Sequence, residues 1–94
     1  MNLRDFQKTL STDMPPLDSN IYLQALWHDA RNNWMEAHRL IQDIPDKHAA
    51  RIHAYLHRKD GDEGNARYWY HKADTSFPDQ TAEQEWQTLV EMFL

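Results

Sequence analysis

The chain has 94 residues, which suits one domain and excludes a second, and with 40% apolar residues and four tryptophans it can build a core rather than stay disordered. It has no cysteine, which removes disulfides and thiol chemistry and points to a reducing, cytoplasmic setting. The net charge of −5 argues against nucleic acid, whose binders carry strongly basic surfaces.

That charge is unevenly spread. Residues 1–46 carry four basic and seven acidic side chains, residues 47–73 carry six and three, and residues 74–94 carry none and five. A basic middle between acidic flanks arises either from internal pairing and solvation or from a surface that meets acidic partners.

In chain order, the opening MNLRDFQKTL interrupts its apolar residues with charges, so neither a signal peptide nor a membrane span is expected, and the chain reads as soluble. Leu3, Phe6 and Leu10 predict a short helix, part of a loosely docked arm over residues 1–18. It ends near Ser11, because Pro15 and Pro16 cannot continue it. Asp18 or Ser19 is the expected cap of the next helix, whose apolar face holds Ile21, Ala25, Leu26 and His28. Asn32-Asn33 turns the chain into a helix over 34–43 with Trp34, Ala37, Leu40, Ile41 and Ile44 as its buried stripe, and Pro45 stops it.

Asp46 caps a helix over 46–59, and Asp60-Gly61-Asp62 forms a tight turn in which glycine accepts a positive φ. A helix over 63–74 follows, burying Ala66, Trp69, Tyr70 and Ala73. Asp79 or Thr81 caps the last helix, amphipathic through Ala82, Trp86, Leu89, Val90 and Phe93. The expected fold is all-α.

Residues Ala25, His28 and Ala37 recur as Ala54, His57 and Ala66, each 29 positions later and without a gap. Asn32-Asn33 lies opposite Gly61-Asp62 in the same register, so helix, turn and helix align. The later unit, with Ala50, His53, Ala54, His57, Ala66, Tyr70 and Pro78, resembles a tetratricopeptide repeat, whose pattern is W-x2-L-G-x2-Y, A-x3-F, P. Histidines and alanine replace that pattern's tryptophan, leucine and tyrosine, and the first unit is weaker. The run from His53 to Tyr70 is also similar to small uncharacterised bacterial proteins, which implies no activity.

The resemblance implies two antiparallel helical hairpins, over 19–45 and 46–78, flanked by the N-terminal arm and a capping helix over 79–94. Two repeats are fewer than usually close a core, so the terminal helices cap the hairpins, or the exposed apolar faces meet in a homodimer. The resemblance further implies that the first helix of each hairpin lines a protein-binding groove. Tyr22, Leu26, Asp29, His48, Arg51, Tyr55, Arg58 and Lys59 are expected there, suited to an acidic peptide gripped by Arg51 and Arg58. The reading that follows is a scaffold for protein interaction or self-association, with no catalysis and no cofactor.

The alternative is a metal or small-ligand site on His28, His53 and His57. His53 and His57 are four apart and share a helix face, and Asp29 or Asp60 could add a ligand. The plainer reading makes them core histidines bonded to a carbonyl or a tyrosine hydroxyl. Three successive helical residues diverge by about 100° each, so Tyr68, Trp69 and Tyr70 cannot share one core. They either pack on the last helix, near Trp86, or anchor an interface.

Overall fold

A computed structural model describes residues 1–94. The fold is all-helical: α1 (Leu3–Lys8), a 3-10 turn (Thr9–Ser11), α2 (Ile21–Ala30), α3 (Trp34–Ile41), α4 (Lys47–Lys59), α5 (Glu63–Lys72) and α6 (Ala82–Phe93). No helix is long and apolar enough to cross a membrane.

The helices begin where short polar side chains take up orphan amides. Asp46 accepts from the Ala49 amide at 2.7 Å, and Thr81 and Gln84 cap α6 reciprocally. The cap of α2 is Asn20, which accepts from the Leu23 amide at 2.9 Å, rather than Asp18 or Ser19.

The two inter-helix turns share three backbone hydrogen bonds at an offset of 29. The Asn33 amide donates to the His28 carbonyl and the Asp62 amide to the His57 carbonyl, both at 2.9 Å. Asn32 and Gly61 occupy the same left-handed position, with φ of 61° and 81°. Ala25, Ala37, Ala54 and Ala66 have no exposed surface, so their small side chains set the close approach of the helices.

Consecutive helices pack together, α2 on α3, α3 on α4 and most extensively α4 on α5. The last helix lies across α2 and α4 together instead of covering the end of the second pair. Phe93 meets the N-terminal ends of both, stacking on Tyr22 and standing edge-on to His48, while Trp86 donates to the Leu26 carbonyl at 2.9 Å. Thus α6 runs opposite to both α2 and α4, which run side by side in one direction. The N-terminal arm is part of the core: Phe6 is wholly buried near Trp86, and Trp27 donates to Thr9 Oγ1 at 3.1 Å.

Candidate functional site

Two regions bring chemistry-bearing side chains together: the face of α2 and α4 under α6, and a cluster of imidazoles between α3 and α4.

The first region holds the predicted groove residues, and α6 closes it. Tyr55 and Asp29 are buried against each other, the Tyr55 hydroxyl donating to Asp29 Oδ2 at 2.7 Å, and Lys59 reaches Asp29 Oδ1 at 3.0 Å. Leu26 is fully buried as well. Arg58 donates through Nη1 to Glu85 of α6 at 2.9 Å and through Nη2 to the Gln80 carbonyl. Tyr70 donates to the same carboxylate at 2.7 Å. Burial, followed by the charge of Asp29, pushes the Tyr55 pKa up; for Tyr70 it is burial, followed by the bond to Glu85.

Asp29, Tyr55 and Arg58 therefore do not face an open groove. The sequence could not reveal this, because α6 was expected at the end of the second hairpin. Tyr22 is half-buried, bonded to Asp46 at 2.5 Å, and His48 is exposed beside it. Arg51 makes no ion pair, and its Nε is buried without a partner.

The second region is a trio of histidines, His38, His53 and His57, with one ligand nitrogen from each within 4.8 Å of the others. His38 and His53 share a hydrogen bond between their Nε2 atoms, 2.9 Å long. Two tryptophans brace the rings. Trp69 stacks on His53 with centroids 4.0 Å apart, and Trp34 stacks on His38 at 4.8 Å. Trp34 is fixed in turn by donating to the Leu56 carbonyl at 2.7 Å.

Burial, reinforced by the neighbouring His38, lowers the His53 pKa from 6.5 to about 4, and burial with His57 nearby lowers that of His38. Burial thus disfavours the charged form of both rings, and in the His38–His53 bond one Nε2 carries the proton while the other accepts it.

The membership differs from the sequence expectation in one position: His38 replaces His28, which lies edge-on to Trp27 instead. His53 bonds to another imidazole rather than to a carbonyl or a tyrosine. Trp34, Ala37, His38 and Ile41 fall on one helical stripe, which places His38 on the packed face of α3 without marking its partners on α4. The aromatic run divides three ways. Tyr68 is exposed, Trp69 covers His53 rather than meeting Trp86, and Tyr70 is buried against Glu85.

No family model, curated protein or solved structure matches this chain.

Proposed function

We propose that the chain is a small tetratricopeptide-like scaffold that binds protein without catalysis, and that its α2–α4 face takes an acidic amphipathic helix, filled in the isolated chain by its own α6. The observation that carries this reading is Glu85, lodged between Arg58 and Tyr70. The basic, aromatic surface expected to hold an acidic peptide holds the acidic end of its own chain. Arg51, expected from the sequence to line the same face, has no carboxylate of its own and suits a partner that supplies one. A second copy can offer the same helix by exchange, which makes self-association another use of the same face. The cysteine-free composition fits work in the cytoplasm.

The test uses a fluorescent peptide of residues 74–94 added to the intact chain, with binding read by anisotropy. In the Glu85→Gln variant the resident helix is held less firmly, and the labelled helix is expected to bind at least about tenfold tighter than to the wild type, a difference near 1.4 kcal/mol. A folded Glu85→Gln chain that captures no peptide overturns the proposal.

A further inference from the structure

Histidines 38, 53 and 57 are separate from the groove's polar network: none of them shares a hydrogen bond or ion pair with Arg58, Glu85, Asp29 or Tyr55. We infer that this trio is a binding site for a divalent transition metal of the zinc, copper or nickel class, with three imidazole ligands and the remaining position left to solvent.

Geometry is the first support. A zinc ion lies about 2.0–2.1 Å from each ligating nitrogen, which sets nitrogen separations of roughly 3.3 Å in a tetrahedral site. The closest pair here is 2.9 Å apart and no pair exceeds 4.8 Å. These separations bracket the value a tetrahedral site requires. The helix spacing makes this possible. His53 and His57 are one turn apart on α4, and α3 runs in the opposite direction beside it, so His38 arrives level with the gap between them.

Ring placement is the second support. Both His53 and His38 are clamped by tryptophans, so their orientation is set before a ligand arrives, which lowers the ordering cost of binding. In the metal-free state His38 and His53 share one Nε2 proton. Moving that proton to Nδ1 of the donor ring frees both Nε2 lone pairs, and no proton need leave the site.

Ligand chemistry is the third. Neutral imidazoles suit zinc, copper and nickel, whereas magnesium and calcium require oxygen ligands, and the trio includes no carboxylate. His38 and His57 are half-buried, so the fourth position has access to water.

The full-length chain, purified without a histidine tag and stripped of metal, is titrated with zinc, nickel and copper by calorimetry, with magnesium as the control. Copper binding is also followed by fluorescence, because Trp34 and Trp69 lie against the ligand rings and a bound copper quenches them. One ion per chain is expected for the transition metals and none for magnesium. His38→Gln and His57→Gln, both at half-buried positions, are each expected to weaken binding at least about tenfold while helicity by circular dichroism is kept. His28→Gln and His71→Gln are expected to leave binding unchanged. The inference is overturned if no saturable one-to-one binding occurs, if binding survives the combined His38→Gln/His57→Gln change, or if it follows His28 or His71 instead.

Discussion

Arg58 on α4 and Glu85 on α6 form an ion pair 2.9 Å long in which the carboxylate has no exposed surface. Removing one partner from such a pair leaves an uncompensated buried charge, so Arg58→Ala is expected to cost about 3–5 kcal/mol, a large fraction of the roughly 5–15 kcal/mol that holds a typical domain folded. Replacing both residues by leucine or methionine should be far milder. Urea denaturation of the single and double variants measures the difference, and equal losses would contradict the pairing.

A second buried carboxylate gives a smaller effect. Tyr55→Phe removes one of the two groups that donate to Asp29 and leaves Lys59 in place. The expected loss is about 1–3 kcal/mol by urea denaturation, the cost of one unsatisfied buried acceptor. No loss would mean that Asp29 is solvated.

The paired turns allow a comparison within one chain. An added Cβ at Gly61 meets nothing within 4 Å, so Gly61→Ala is penalised only by its φ of +81°, by roughly 1–2 kcal/mol. Asn32→Gly, at the equivalent position, is expected to stay within about 0.5 kcal/mol of wild type, because asparagine tolerates that conformation and glycine's freer unfolded chain offsets its gain. Thermal melts of both variants test the symmetry; an unchanged melting temperature in Gly61→Ala would break it.

Much of this fold was legible in the residues, and the failures share one cause. Prolines, the caps Asp46 and Thr81 and the repeat of 29 placed the helices, because those signals act within a few positions of one another. The seat of α6 was not legible. A helix with one apolar face can cover the end of a hairpin pair or lie across it, and contacts far apart in sequence, Glu85 to Arg58, Trp86 to Leu26 and Phe93 to Tyr22, decide between them. His38 was missed for a related reason. Its partners are on another helix, and no spacing along the chain marks them.

Acid should weaken the metal-free protein through the histidine trio. The folded His53 takes up a proton near pH 4, whereas the unfolded chain does so near 6.5, so the unfolded state binds more protons between those values. The contribution is present in full above pH 6.5 and declines as pH falls toward 4. It amounts to at most about 3 kcal/mol, less where solvent reaches the ring. His38 shifts in the same direction. Urea midpoints at pH 7.5 and 4.5 should differ more in the wild type than in His53→Asn; an equal or opposite difference would contradict the burial of a neutral imidazole.

The central claim is that α6 occupies a helix-binding face and is held there by Arg58. Hydrogen–deuterium exchange of the α6 amides, compared between wild type and Arg58→Ala, tests it most directly. The expected result is a selective loss of protection over residues 82–93, with the α3 and α4 amides around Trp34 and Leu56 changing less. Protection in α6 that falls no more than in α3 and α4 would contradict it.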